Sequence, residues 1–212
     1  MSTKIRPLLV TSILLAICSH QSLAEVSTNL GVVSQYHFRG IQQTTGASTS
    51  AGVDYEKDNF SLGAWTADVD DGLEIDLYGR YGIELDGGIN LGFGATSYQY
   101  TGDFDSAYNE INLSASYNNF SLGYNIGKWD GVVGNEAATE NDYTILTLGF
   151  EYNGFSGDLG FYGDEAEGEY FDLSYGTTIG EFDVSVGLVV SGSDLDDDES
   201  LYLSFGKTFD LN

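Results

Sequence analysis

From Val26 onward the side chains alternate: Val26, Thr28, Leu30, Val32, Ser34, Tyr36 and Phe38 are apolar, aromatic or small hydroxyls. Ser27, Asn29, Gly31, Gln35, His37 and Arg39 stand between them. Successive residues of a β-strand point to opposite faces, so a period of two describes a long strand with one greasy and one wet side. Only Val33 breaks the alternation. The pattern recurs along the chain, through Ala47, Thr49, Ala51, Val53 and Tyr55, then Phe60, Leu62 and Ala64, and at last Leu201, Leu203, Phe205 and Phe209. Counting such stretches gives about a dozen strands. The stretch around Leu146, Leu148 and Phe150 is the least regular, because Tyr143 and Ile145 put apolar groups on the wet face.

Residues 1–24 read as a cleaved leader. Lys4 and Arg6 give a positive start, an apolar run follows that is too short to span a bilayer as a helix, and Ser22-Leu23-Ala24 is a small-x-small site, which places cleavage between Ala24 and Glu25. Cys18 does not make a lipoprotein signal, because Ile17 occupies the position where a small residue is needed. One domain, residues 25–212, is expected to remain. Losing the leader removes the only Cys, Pro and Met and leaves five basic residues against 33 acidic ones, a net charge of −28. Such a chain repels phosphates, which argues against nucleic acid as a partner. It also folds without disulfides, although it is exported to an oxidising compartment. No apolar run long enough for a membrane helix follows the leader, and that does not exclude a barrel, whose strands carry only alternating hydrophobicity.

The connections sort by length. Lys57-Asp58-Asn59, Asp86-Gly87-Gly88, Asn118-Asn119, Asn153-Gly154 and the turn near Ile179-Gly180 are hairpin sequences that tolerate positive φ. Between them lie longer connections at 39–46, 67–72, 101–107, 129–141, 163–169 and 192–199. Short turns at one end and long loops at the other, with an even strand number, describe an outer-membrane barrel with its turns in the periplasm. Tyr55 with Phe60, Tyr117 with Phe120, Tyr152 with Phe155, and Tyr175 with Phe182 flank the short turns on the apolar parity, and Phe209 joins them. These read as an aromatic girdle. Lys128 and Lys207 share that parity near strand ends, where a long stem carries the ammonium to the headgroups.

The segment Val33-Ser34-Gln35-Tyr36-His37-Phe38-Arg39-Gly40-Ile41-Gln42-Gln43-Thr44 is followed by Gly52-Val53-Asp54-Tyr55, by Gly63-Ala64-Trp65 and by Glu74-Ile75-Asp76-Leu77-Tyr78. Together these resemble the TorF-type porins, the Gcw-chp family of proteobacterial outer-membrane proteins. The resemblance is best over about the first hundred residues and implies a secreted outer-membrane barrel and, by the family's name, a porin. It implies no substrate. The chain departs from the usual barrel ending on an aromatic residue, since Asp210-Leu211-Asn212 follow Phe209.

If the apolar parity faces lipid, the other lines the lumen, and there acids far outnumber bases: Asp54, Glu74, Asp76, Glu84, Glu110, Asp172 and Asp183 against Arg80. Carboxylate-lined pores favour cations. The same acidity also suits a saline habitat or simple solubility, and a lumen of this size can be filled by its own side chains. Arg80 is expected either to bridge carboxylates across the lumen or to constrict a pathway, bridging being the first expectation because buried charges are paired. Arg39 is expected at the outer mouth, opening the first long loop. Enzymatic readings fare poorly. His37 is the only histidine after the leader, with no triad geometry to support it. Asp194, Asp196 and Asp198 begin like a calcium loop, but Glu199 and Phe205 stand where the turn glycine and closing glutamate belong.

The chain is therefore expected to be all-β: an antiparallel up-and-down transmembrane β-barrel of about 12 strands with longer acidic extracellular loops, placed in the cell outer membrane. Its partners would be outer-membrane lipid, the barrel-assembly machinery, and small solutes or cations. It would carry no cofactor and no enzymatic activity. It would be a porin for small hydrophilic solutes with cation preference or, as the alternative, a non-conducting structural or adhesion barrel displaying acidic loops. Nothing in the sequence marks an oligomeric interface.

Overall fold

A computed structural model of the protein describes residues 24–132, 138–195 and 199–211. The leader up to residue 23, and Asp196 to Asp198, lie outside the described residues. In chain order the strands are β1 (Glu25–Val33), β2 (His37–Phe38), β3 (Ile41–Gln42), β4 (Ser48–Lys57), β5 (Phe60–Val69), β6 (Gly72–Leu85) and β7 (Ile89–Tyr100). They continue as β8 (Tyr108–Tyr117), β9 (Phe120–Trp129), β10 (Asn141–Tyr152), β11 (Phe155–Asp164), β12 (Glu169–Ile179), β13 (Phe182–Ser191) and β14 (Glu199–Asp210).

Twelve of these form one closed antiparallel barrel, in which β1 pairs with β14 on one side and β4 on the other. The expected strand count and up-and-down order are what the structure shows. The short turns gather at one end, with Glu25 and Leu211. Asn118 and Asn153 take positive φ there, 54° and 50°, as two-residue hairpin turns require.

The outer surface is greasy. Leu30, Leu62, Leu77, Phe93, Ile111, Leu148, Val186 and Leu203 all face outward, exposed. The girdle aromatics are on this surface at the turn end, with Phe155 tilted against Tyr175 at 4.9 Å and Phe182 stacked on Phe205 at 4.7 Å between ring centroids. Lys207 reaches from the girdle to Glu181 at 2.7 Å, and Lys128, towards the loop end, to Glu140 at 3.0 Å.

Two connections differ from expectation. The segment 67–72 is not a long loop: β5 and β6 run on to Val69 and Gly72, leaving only Asp70-Asp71 as a turn. Both loop acids beside it are used locally. The Asp68 carboxylate accepts from the Thr49 N–H at 3.1 Å, and that of Asp70 from the Thr45 N–H at 3.0 Å. The first strand, in turn, does not continue to Phe38. It ends at Val33, where the alternation breaks, and the following residues leave the wall and turn into the lumen.

Candidate functional site

Residues 34–47 depart from β1 and return to β4 without interrupting the wall, because Val33 pairs directly with Ser48. Inside the barrel they form a small hairpin of β2 and β3. His37 pairs with Gln42 and Phe38 with Ile41 across the two-residue turn Arg39-Gly40, both at positive φ (51° and 85°). A glycine at the second position suits that tight turn.

The polar run after it supplies the hairpin's own hydrogen bonds. The Gln43 N–H donates to the Tyr36 carbonyl at 2.8 Å, the Tyr36 N–H to Thr44 Oγ1 at 2.9 Å, and Gln42 Nε2 to the Thr44 carbonyl at 2.9 Å. Tyr36, His37, Gln43 and Thr44 are all buried.

Arg39 is therefore not at the outer mouth. Its guanidinium forks onto the Glu110 carboxylate, Nη1 to Oε1 at 2.5 Å and Nη2 to Oε2 at 3.1 Å. The correction has a physical cause: with the hairpin turned inward, the only wet surface left for an arginine at its tip is the lumen wall. Glu110 is held further by the hydroxyls of Tyr98 (3.2 Å) and Tyr143 (2.9 Å) and by Asn112 Nδ2 (2.9 Å). The Tyr162 hydroxyl donates to the Arg39 carbonyl at 3.0 Å.

Glu74, with no solvent exposure, accepts from the Tyr36 hydroxyl at 3.3 Å and sits against Asp76. Sequence reasoning set Glu74, Asp76 and Glu110 on the lumen face, and the fold brings them together around Arg39, within electrostatic reach of it. Breaking a buried ion pair of this kind on one side costs about 3–5 kcal/mol.

Of the two roles expected of it, Arg80 does not make the bridge between carboxylates. Among the described residues it forms no ion pair; it lies over the Tyr78 ring, 5.6 Å from the centroid, with its stem across Gly94. The carboxylate that it could have bridged, Asp54, is taken by the Tyr78 hydroxyl at 2.5 Å and approached by Asn29 Nδ2 at 3.4 Å. Asp172 accepts from the Tyr202 hydroxyl at 3.1 Å and faces Asp158 across the β11–β12 ladder. Glu84 and Asp183 lie apart from this group at the turn end, Glu84 exposed and Asp183 accepting from Thr178 Oγ1 at 2.7 Å.

What sequence reasoning missed is a tyrosine layer. Towards the loop end, the lumen positions are Trp65, Tyr98, Tyr143, Ile145, Tyr162, Tyr170 and Tyr202, and they close around the hairpin: Tyr36 on Trp65 at 5.8 Å, Phe38 on Tyr98 at 5.5 Å, His37 near Tyr202 at 6.4 Å. Several rings lie flat on a glycine of the neighbouring strand, Tyr143 on Gly127, Tyr170 on Gly160 and Tyr202 on Gly187, where any Cβ would meet the ring. This is cross-strand aromatic rescue of glycine.

Leu195, from the acidic loop before β14, caps the hairpin tip against Gly40 and Gly168. Towards the turn end the lumen changes. Ser61, Ser114, Ser116, Ser121, Gly123, Asn125, Ser156, Ser174, Gly176 and Ser185 line it, and all retain solvent access.

No functionally curated protein matches the sequence. Among solved structures, the fold resembles a chain described as "Unveiling the Mechanism Behind the in-meso Crystallization of Membrane Proteins", with a TM-score of 0.59 at 10% identity, covering 88% of this chain and 84% of that one. The Acinetobacter baumannii outer membrane protein Omp33 aligns with a TM-score of 0.41 at 10% identity, covering 87% of this chain and 99% of its own. Residues 18–210 match a family model described as "Bacterial protein of unknown function (Gcw_chp)". The family match spans all twelve strands of the closed barrel, and the chain belongs to the Gcw_chp family of bacterial proteins.

Proposed function

We propose that this barrel spans the bacterial outer membrane, with its short turns towards the periplasm, and passes small hydrophilic solutes with a preference for cations. The observation that carries the reading is the lumen's turn-end half: small polar side chains with solvent access, in a barrel wide enough to hold a hairpin, beneath a group of carboxylates. A purely structural barrel of this size has no reason to line that half with small polar side chains instead of bulky ones. The exposed apolar belt with an aromatic girdle suits the bilayer, and export by the leader and insertion by the barrel-assembly machinery fit with it.

The carboxylates supply the preference. Glu74, Asp76 and Glu110 are three carboxyl groups around a single guanidinium, and a lumen lined with more carboxyl groups than cations suits cations.

A second reading is favoured by a specific observation, the hairpin beneath Leu195, which fits a closed barrel with display loops. Single-channel recording of residues 25–212 in a planar bilayer under a salt gradient separates them. Discrete steps with a cation-selective reversal potential are expected. Insertion without current would favour the closed barrel, and anion selectivity would overturn the preference.

A further inference from the structure

Arg39 and its partners belong to different parts of the molecule. The arginine is carried by a segment the wall does not need, since β1 and β4 pair through Val33 and Ser48 without it, and most of the hairpin's backbone bonds close within itself. The partners are all on the wall. Glu110 projects from β8, held by Tyr98 from β7, Tyr143 from β10 and Asn112 from its own strand. The carboxylate is thus aimed before any cation reaches it.

Its two oxygens take the two arms of one planar fork, the geometry that a guanidinium satisfies and an ammonium or alkali ion does not. Beside it on β6, Glu74 and Asp76 lie against each other, two more buried carboxyl groups within electrostatic reach of Arg39. An isolated structural ion pair would call for one carboxylate, not three.

We infer that the Glu110 pocket is a binding site for guanidinium-bearing solutes, occupied at rest by Arg39 as a tethered ligand. A solute arriving from the loop end competes with Arg39 for the fork and displaces the hairpin tip. As a description of transport this rests on the pore reading above; as a binding site it does not.

The test uses guanidinium chloride at low, non-denaturing concentration, with sodium and tetramethylammonium chloride as controls. Binding is read by thermal unfolding of the refolded barrel and by titration calorimetry. With the tether removed in Arg39→Ala, guanidinium should bind roughly tenfold or more tightly than in wild type, where the bound arm lowers the apparent affinity. It should raise the melting temperature of that variant alone, and both effects should vanish in Arg39→Ala/Glu110→Gln. Equal responses to sodium, or survival of the effect in the double variant, would overturn the site.

If Arg39→Ala does not fold, Arg39→Lys serves: an ammonium cannot fill the fork, so guanidinium should still bind more tightly than in wild type, and equal binding would overturn the site. A guanidinium response with no current in any salt would sink the pore reading and leave the site standing. Current with no guanidinium discrimination would do the reverse.

Discussion

The two halves of the lumen are built by the same strands and do opposite things. Along β7 the inward positions run Tyr98, Thr96, Gly94, Gly92, Asn90 from loop end to turn end, and along β8 they run Tyr108, Glu110, Asn112, Ser114, Ser116. Outside, the same strands are apolar through Ile89, Phe93, Ile111 and Tyr117 and turn polar only at the loop end, at Ser97, Gln99 and Asn109. The outer face therefore stays apolar across the level at which the interior changes from aromatic to small. The difference teaches that the wall alone does not decide whether this barrel is filled. The inward side chains of the loop-end half, together with one inserted hairpin, do.

The largest expected effect comes from abolishing the contrast. Replacing residues 34–47 with Asn-Gly joins Val33 to Ser48 through a two-residue turn that the ladder already accommodates. The barrel should still fold, and single-channel conductance should rise severalfold. Unchanged conductance would mean that the wall tyrosines, not the hairpin, limit the passage.

A smaller effect should separate the halves by packing. The Cβ of a Gly160→Ala variant would stand 2.0 Å from Tyr170 Cε1, and that side chain has little room to give, because Gly40 packs against its base at Cβ and Cγ. In urea titrations of the detergent-refolded barrel, a loss of about 1–3 kcal/mol is expected. The same change at Gly123 puts a Cβ 3.6 Å from Thr147 Cβ, an ordinary contact, and stability should stay within about 0.5 kcal/mol. Equal losses at both sites would erase the distinction between a packed and an open half.

The smallest effect lies outside both. Lys207 holds the Glu181 carboxyl below its ordinary range through a hydrogen bond and its charge, with Glu181 fully exposed in a turn. A depressed carboxyl contributes stability above its unfolded pKa and loses it as pH falls through the folded value. Glu181→Gln and wild type should therefore converge in acid, and even at neutral pH their melting temperatures should hardly differ, since exposed pairs contribute little. A clear neutral-pH gap would show that the girdle depends on this pair.

Much of the barrel was legible because its rule is local. Parity alone assigns Leu148 to the outside and Glu110 to the inside, and turn chemistry at Asn153-Gly154 marks the hairpin ends. The roles of the two arginines were not legible: the bridge expected of Arg80 is made by Arg39. Parity placed Arg80 correctly in the lumen, but whether Asp54 would turn to it or to the Tyr78 hydroxyl depends on a cross-strand neighbour that no single-strand pattern contains.

Arg39 was misplaced because a long connection says nothing of its direction. Two signals were present: Val33 breaking the alternation, and an aromatic, polar run of Tyr36, His37, Phe38 and Gln42 to Thr45 in a segment that a solvated loop has no need to make so rich in rings. Tyr143 and Ile145 looked like noise in the strand around Leu148. They are the inward half of the tyrosine layer, both buried, Ile145 with 1% of its surface exposed.

The root of the inserted hairpin is tied to the other end of the chain. The Ser34 N–H donates to the Leu203 carbonyl at 2.9 Å, and the Leu203 N–H returns a bond to Ser34 Oγ at 2.9 Å, across the seam where β1 meets β14. The first strand to emerge thus waits for the last. Until β14 arrives, the Ser34 side of the stem lacks these two bonds, although its other side is already tied to the β5–β6 turn through Asp70, and the arginine has no enclosed space to enter. Contacts between chain ends are the slowest to form. Closure of the cylinder and locking of its stopper are then a single event, so a barrel caught before completion would be an open sheet rather than an open tube.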